Sequence, residues 1–225
     1  MVYFIYNGVD SRQYNMVLTK TPNRVRPPRI YTEQVAYGGD GSIITPLGYG
    51  SYDMSLNVGI TDTTYIDEIC AWLNGSGELT ISDDPGKYMN VHFLEQINFE
   101  KLMKFKTASI TVRCQPFRYN VNDNVYSTSN KTFTVKNAGN YVSRPCITIL
   151  GTGTCSVSVN GNKIFDVSEL PITIDSLSFE SYYEGVNKNR KKTGGYIELN
   201  PGSSKIEVTG DNVSNITMRR CDRWL

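Results

Sequence analysis

The hydrophobic residues of the first half alternate with polar residues in most segments, which is the pattern of a half-buried β-strand. The clearest alternation covers residues 52–60. It leads into residues 63–74, where apolar positions recur with the period of a helix. Those helical positions are Ile66, Ile69, Cys70 and Leu73. Thr64 and Asp67 have capping-box spacing, and Gly75 ends the pattern. We therefore predict one α-helix that packs its apolar face on a sheet.

The second half has a different hydrophobic pattern. Its apolar runs are short, recur about every 8–12 residues and lack a helical period. The pair Asn160-Gly161 between two alternating runs is a strong hairpin signal. Strands are predicted at residues 131–135, 146–150, 155–159, 163–167, 172–175, 196–199, 205–208 and 215–219. Strands without helices bury their apolar faces against one another, so we expect a β-sandwich.

Residues 120–130 separate the two patterns. This stretch is polar, poor in branched apolar residues and rich in turn formers, as a linker or surface crossover is. The sequence therefore predicts two domains, residues 1–119 and residues 131–225, joined by a linker over residues 120–130.

Composition narrows the possible functions. The formal net charge of the 225 residues is +1, and neither half has an excess of one sign that would favour a nucleic-acid or membrane surface. The five cysteines lie far apart, so neither a disulfide framework nor a zinc site is expected. The start of the chain does not have the pattern of a secretion signal, and no apolar run reaches the length of a membrane span. We expect folding in a cytoplasm and no membrane insertion.

Few residues are candidates for catalysis. His92 is the single histidine and lies in a predicted strand without a second histidine or a nearby cysteine. Asp83 and Asp84 precede Pro85-Gly86, where aspartates are expected as turn formers, although a glycosidase also needs only two carboxylates. The serines lack a nucleophile elbow. The sequence predicts no catalytic residue, no metal site and no cofactor.

Two features of the second half are compatible with binding. Residues 188–192 include four basic side chains, for which a solvated loop is expected and contact with an anionic polymer is the alternative. Tyr182, Tyr183 and Tyr196 are candidates for stacking on sugar rings, although strand packing explains tyrosines in a β-rich chain equally well. A stand-alone carbohydrate-binding β-sandwich module is therefore the alternative function.

Several short segments, taken in order, resemble the distal tail proteins of siphophages, which join the tail tube to the host-adsorption baseplate. In the first half they are Asn7-Gly8, residues 24–29, Gly39-Asp40-Gly41, Trp72-Leu73, residues 82–85 and residues 114–119. In the second half they are Asn137-Ala138-Gly139, Arg144-Pro145, Ile174-Asp175-Ser176 and Pro201-Gly202. The chain departs from the family at Gly39, where the family usually has an arginine.

The resemblance implies a structural, non-enzymatic component of a phage or prophage tail. The first domain would be a tail-tube-like β-sandwich with one α-helix, forming a hexameric ring around a DNA channel. The second would be a galectin-like β-sandwich. The implied partners are five further copies in a homo-hexamer, the tail tube protein, a tail-associated hub protein and receptor-binding proteins, with DNA passing through the ring without specific binding. The implied location is the virion tail tip, after synthesis in the bacterial host cytoplasm.

Residues 30–50 form an arm that fits neither a core strand nor a solvated loop. The arm is rich in Gly and Pro, yet it carries large apolar side chains. We predict that it lies along a neighbouring copy and adds a strand to its sheet edge, a head-to-tail contact that closes a ring. The residues expected at this interface are Tyr31, Val35, Tyr37, Ile43, Ile44 and Leu47.

Overall fold

The computed structural model describes residues 2–35, 37–95, 97, 99–123 and 125–225. The chain forms two compact units: unit 1 comprises residues 1–121 with Leu225, and unit 2 comprises residues 122–224. Strands dominate both units and the helices are short. The prediction of a mainly β protein is therefore confirmed.

Unit 1 contains one large sheet and one separate two-stranded sheet. Its strands are β1 (Phe4–Tyr6), β2 (Val9–Asp10), β3 (Met16–Leu18), β4 (Arg29–Val35), β5 (Ser42–Tyr49), β6 (Tyr52–Ile60), β7 (Gly75–Ile81), β8 (Lys87–Phe93) and β9 (Thr107–Asn120). The main sheet has the order β2-β1-β7-β8-β9-β6-β3, and β4 and β5 form a separate two-stranded sheet. The buried face of the main sheet shares one hydrophobic core with the helices α1 (Ile66–Trp72) and α2 (Phe99–Phe105).

The predicted first helix is present and buries the predicted face. Ile66 and Ile69 of the helix and Leu73 directly after it are buried, and Cys70 packs at the margin of the core. Burial of each large aliphatic side chain contributes about 1.5–3 kcal/mol to the stability of the fold. This burial stabilises a helix that is too short to be stable alone. Trp72 connects the C-terminal end of the helix to β1, because its indole N–H donates to the carbonyl O of Tyr6 over 3.2 Å. The start differs from the predicted capping box: Asp62 Oδ1 accepts the backbone N–H of Thr64 over 2.9 Å.

In the sequence, residues 88–99 and 104–114 each have the pattern of a long strand. Helix α2 corrects both this expectation and the prediction of a single helix. The first strand ends at Phe93, α2 occupies Phe99–Phe105, and the second strand begins at Thr107. Leu102 is fully buried, whereas Met103 and Phe105 are exposed. Such a short helix with a narrow buried stripe has no sustained helical period in sequence, so the neighbouring strand patterns hide it.

Unit 2 consists of two sheets that share one core, as expected for a β-sandwich. Its strands are β10 (Val125–Thr128), β11 (Thr132–Asn137), β12 (Cys146–Thr152), β13 (Cys155–Val159), β14 (Asn162–Val167), β15 (Ile172–Asp175), β16 (Glu180–Tyr183), β17 (Val186–Asn187), β18 (Lys192–Gly194), β19 (Gly202–Thr209), β20 (Asn212–Arg219) and β21 (Arg223–Trp224). The sheet orders are β10-β20-β12-β15-β16-β17 and β11-β19-β13-β14-β18. The predicted Asn160-Gly161 hairpin joins β13 to β14, with φ of 51° and 81° at its two turn residues.

Two segments around this sandwich differ from the predictions. Residues 196–199 form no strand, only an isolated bridge between Leu199 and Ser143, although Ile197 and Leu199 are buried. The predicted linker contains β10, which pairs with β20. Tyr126 of this strand stacks on Phe133 with ring centroids 5.3 Å apart, a contact that polar composition did not indicate. The independence of two domains over residues 1–119 and 131–225 stays a prediction.

Candidate functional site

The hairpin of β4 and β5 exposes more large apolar side chains than a solvated ribbon normally does. Every residue of β4 is exposed, and so are the first six residues of β5. The exposed set includes all six predicted interface residues: Tyr31, Val35, Tyr37, Ile43, Ile44 and Leu47. The exposed fraction of Val35 is 79%, and Tyr37 at the tip is fully exposed. Such exposure on a two-stranded ribbon makes the hairpin the candidate interaction site.

The strand register divides the hairpin into two faces, because residues directly opposite each other point to the same side. One face carries Tyr31, Glu33, Val35, Ser42, Ile44 and Pro46; the other carries Thr32, Gln34, Ile43 and Thr45. We call the first the apolar face and the second the polar face. Leu47 is the extra residue at a register shift. The prediction treats the six residues as one set, whereas the structure places Ile43 on the opposite face from Tyr31, Val35 and Ile44.

The base of the hairpin is fixed to unit 1. The backbone N–H of Gly50 donates to the carbonyl O of Pro28 over 2.8 Å. The ring of Tyr49 lies edge-on to Phe117 of β9, with centroids 6.0 Å apart, and the guanidinium of Arg29 is 5.0 Å from the Tyr49 ring centroid. The hairpin therefore projects from an anchored base. The sequence predicts an extended arm but not this pairing of its two halves.

A second feature of unit 1 is a cleft of about 350 Å³. Its apolar lining includes Val25, Tyr52, Met54, Ile81 and Met89, and its charged lining consists of Arg24, Arg26, Asp83, Asp84, Lys87 and Arg118. We call it the charged cleft. Asp83 and Asp84 lie in the predicted turn between β7 and β8, where the N–H of Asp84 donates to the carbonyl O of Ile81 over 2.9 Å.

Cationic side chains surround these two carboxylates. Asp84 Oδ2 lies 2.7 Å from Arg118 Nη1, 3.2 Å from Lys87 Nζ and 3.6 Å from Arg24 Nη1. Asp83 Oδ2 lies 2.9 Å from Arg24 Nη2. The network joins residues from three distant segments, so no local motif predicts it. The aspartates act as turn formers and ion-pair partners.

His92 lies between two uncharged hydrogen-bonding groups. Its Nδ1 is 2.7 Å from Ser76 Oγ, and its Nε2 is 3.1 Å from the amide nitrogen of Gln115. Neither of these two partners is the carboxylate that orients the histidine of a catalytic triad.

The three candidate sugar-stacking tyrosines do not form one platform. Tyr182 and Tyr183 are neighbours on β16 and therefore point to opposite faces of the sheet. Tyr196 donates its hydroxyl hydrogen to the carbonyl O of Phe179 over 2.6 Å, and Lys192 Nζ lies 3.7 Å from its ring centroid. An ammonium group thus occupies a position over the Tyr196 ring where a sugar would stack.

Ion pairs hold part of the predicted basic loop. Lys188 Nζ and Lys191 Nζ lie 3.1 Å and 2.7 Å from the two carboxylate oxygens of Glu169, and Lys188 also donates to the carbonyl O of Pro171. Together these lysines hold the pKa of Glu169 below its usual value, mainly through hydrogen bonding to Lys191. Two of the four basic side chains therefore share the single carboxylate of Glu169 within unit 2.

The cysteines do not form a reactive or metal-binding group. All five are free thiols. Burial raises the pKa to about 12 for Cys114 and to about 11 for Cys155 and Cys221, so these thiols stay protonated at neutral pH. In the described part of the chain, no three His, Cys, Asp or Glu side chains are placed to hold a metal ion. None of the described helices is long and apolar enough to cross a bilayer.

Comparison with known proteins finds similarity in structure alone. No protein-family model and no curated protein sequence matches the chain. The Dit protein (gp 19.1) of SPP1, described as a paradigm of the hub adsorption apparatus in phages infecting Gram-positive bacteria, matches with a TM-score of 0.74 and 15% identity, over 100% of both chains. A chain of the phage p2 baseplate in its activated conformation matches with TM-scores of 0.53 with Ca and 0.51 with Sr, at 9% and 8% identity and 99% coverage of both chains.

These matches extend along both units, and their low identities relate them through the fold. An exposed apolar hairpin with a fixed base is therefore carried on a chain that has the fold of phage Dit and baseplate proteins.

Proposed function

We propose that this protein is a structural hub of a phage tail, located at the virion tail tip, where it connects the tail tube to the host-adsorption baseplate. The observation that carries the proposal is the full-length match to the SPP1 Dit protein at a TM-score of 0.74. A fold by itself supports many functions. The exposed hairpin adds an independent reason, because an assembly subunit needs such a surface and a monomeric enzyme does not.

In this proposal the protein forms a homo-hexameric ring. The apolar face of each hairpin lies on the next copy and extends its sheet at an edge strand. The edges of the main sheet are β2 and β3, which are two and three residues long, and in this proposal the hairpin extends one of them. The hairpin and the sheet edge are different surfaces of the protein, so the contact between copies is head-to-tail. Such a contact closes into a ring when the rotation from one copy to the next is a whole fraction of 360°.

The partners proposed for the ring are the tail tube protein, a tail-associated hub protein and receptor-binding proteins. DNA passes through the channel without specific binding, which agrees with a formal net charge of only +1. The role is structural and not enzymatic. Its support is the pairing of Asp83 and Asp84 with cations and the uncharged partners of His92.

Native mass spectrometry of the full chain, combined with negative-stain microscopy, tests this assembly. We expect a species of six times the 25.3-kDa chain, seen as a ring with a central channel. A purified protein that stays monomeric at its highest soluble concentration would contradict the ring. Hydrolysis of bacterial wall polymers that is lost in an Asp83→Asn/Asp84→Asn variant would contradict the non-enzymatic role.

A further inference from the structure

The charged cleft of unit 1 has an excess of positive charge. Its lining side chains include four cations, Arg24, Arg26, Lys87 and Arg118, and the two carboxylates of Asp83 and Asp84. Leu225 also lines the cleft, and its O accepts a hydrogen bond from Arg118 over 3.3 Å. Asp84 is shared among three of the cations, at 2.7–3.6 Å. Arg26 is exposed and forms no salt bridge with any residue that the structure describes. A ligand that brings negative charge to this rim is therefore favoured.

The remainder of the cleft is apolar. Met54, Ile81 and Met89 are buried along it, and half of the Val25 side chain is exposed at its edge. Burial raises the pKa of Tyr52 to about 12, so its phenol is neutral and adds no charge to the site. A flexible methionine-lined surface accepts an aromatic ring well. The cleft thus suits a group that combines an aromatic body with a nearby carboxylate.

The tip of the hairpin carries this combination. Tyr37 is fully exposed, and the exposed carboxylate of Asp40 follows three residues later. Gly38 and Gly41 have φ of 79° and 87°, so the tip turns in a conformation that glycine favours. Over residues 32–47 the charged side chains are Glu33 and Asp40, both acidic. The negative charge of Asp40 is opposite in sign to Arg26, the rim cation that has no salt bridge with a described residue.

The hairpin cannot place its tip in the cleft of its own chain. Pro27 lines the cleft, and its neighbour Pro28 closes the base of the hairpin through its hydrogen bond with Gly50. From this base the seven residues of β4 extend about 24 Å outward. A unit of this size has a radius of gyration of about 14 Å, so the hairpin is long enough to reach well across a second copy.

We propose that the charged cleft of each copy receives the hairpin tip of the next copy, with Tyr37 against Met54 and Met89 and the carboxylate of Asp40 at the arginines of the rim. The inference rests on the proposed head-to-tail assembly and names its receiving site. The cleft lies along the strand that carries the β3 edge: β3 pairs with one end of β6, while Tyr52 and Met54 at the other end of β6 line the cleft.

Photo-crosslinking tests the contact directly. In the full chain, Tyr37 is replaced by p-benzoyl-phenylalanine, and the crosslinked peptides are mapped by mass spectrometry after irradiation. We expect crosslinks between copies at Met54, Met89 or residues 24–27. A ring whose crosslinks lie elsewhere, such as on α2, would overturn the cleft assignment and leave the proposed function intact. A protein that is monomeric and forms no crosslinks would contradict both.

A charge swap tests the proposed contact between Asp40 and the arginines of the cleft rim. Asp40→Arg and Arg26→Asp should each raise the midpoint concentration for assembly about tenfold, because reversal removes an attraction and adds a repulsion. Arg26 is chosen because its replacement leaves the Asp84 network intact. The double variant should recover most of the loss. Asp211→Arg, in an exposed turn of unit 2, is the matched control and should have no effect.

Sedimentation velocity measures all four variants. Single variants that assemble like the parent, or a double variant that recovers nothing, would overturn the contact between Asp40 and the cleft rim. Since contacts between charges at the rim are partly exposed, salt screens them. We therefore also expect added salt to reduce the difference in midpoint concentration for assembly between the single variants and the parent.

Discussion

Two hairpins in this protein have similar lengths and opposite environments. The β13–β14 hairpin of unit 2 alternates between buried and partly exposed positions along β13, with Val157 and Phe165 almost fully buried. The β4–β5 hairpin of unit 1 is exposed along all of β4. Both turns contain a glycine with positive φ, 81° at Gly161 and 79° at Gly38. Local turn chemistry therefore produces both ribbons, and only their neighbours differ.

The neighbours decide what each hairpin does. Strands β19 and β18 flank β13 and β14, so that hairpin is a central part of a five-stranded sheet and of a core. Strands β4 and β5 form a sheet by themselves, and such a ribbon is marginally stable in water. The first hairpin therefore contributes to folding within one chain, whereas the second is proposed to gain its burial from another copy.

The strongest test removes the exposed hairpin. Replacing residues 32–47 by a short Gly-Ser loop should abolish assembly and give a folded monomer, because no described core residue lies in that segment. Sedimentation velocity gives the mass, and thermal unfolding followed by circular dichroism gives the folding control. A shortened protein that sediments as the parent oligomer would show that the interface lies elsewhere.

A matched pair of alanine substitutions then contrasts the two hairpins in folding. Phe165→Ala removes a buried ring and should lower the free energy of unfolding by about 3–5 kcal/mol. Val35→Ala removes an exposed side chain and should change it by less than about 0.5 kcal/mol. Urea denaturation of both variants at a concentration where the chain is monomeric measures the two values. Equal losses of unfolding free energy in the two variants would contradict the idea that only the β13–β14 hairpin contributes to folding within one chain.

The two faces of the exposed hairpin can be compared in the same way. Ile44→Thr changes the apolar face and should raise the midpoint concentration for assembly about tenfold, as expected when an isoleucine loses its burial at an interface. Ile43→Thr makes the same chemical change on the polar face and should have a smaller effect. Assembly curves from light scattering distinguish the two, and a larger effect of Ile43→Thr would reverse the assignment of the faces.

A further pair of substitutions compares the turns of the two hairpins, at Gly161 and Gly38. An alanine at either glycine would meet no atom within 4 Å, so only the strain of positive φ acts. Gly161→Ala should cost about 1–2 kcal/mol of unfolding free energy, because its turn belongs to the folded sandwich. Gly38→Ala should leave monomer stability unchanged, since the turn it strains supports no core. Urea midpoints of the two monomeric variants provide the comparison.

The smallest expected effect is a pH dependence that belongs to unit 2 and not to the exposed hairpin. Burial raises the pKa of Asp222, and the nearby Arg220 only partly opposes this. Because the folded-state pKa exceeds the unfolded one, the folded state binds more protons, and stability falls as pH rises above about 4. Asp222→Asn should remove this fall, which urea midpoints between pH 4 and 7 would measure. A variant as pH-dependent as the parent would contradict it.

The elements that sequence predicted well share a strong local signal. The alternation over residues 52–60, the stripe of α1 and the Asn160-Gly161 turn each encode their structure within a few residues. Helix α2 and strand β10 were hidden because their segments are short and take their stability from distant contacts, such as Leu102 in the core and Tyr126 on Phe133. The same reason explains residues 196–199, where buried side chains occur without strand pairing.

The sequence by itself determined that the chain is mainly β, that one amphipathic helix packs on its first sheet, and that residues 30–50 carry apolar side chains outside any core pattern. Side-chain periodicity and turn chemistry are local properties, so they can be read without the fold. Only the tertiary structure decided that these residues pair into a hairpin, which of them share a face, and that Arg24, Asp84 and Arg118 meet in one cleft. Those outcomes depend on strand register and on contacts between distant segments, which local patterns do not encode.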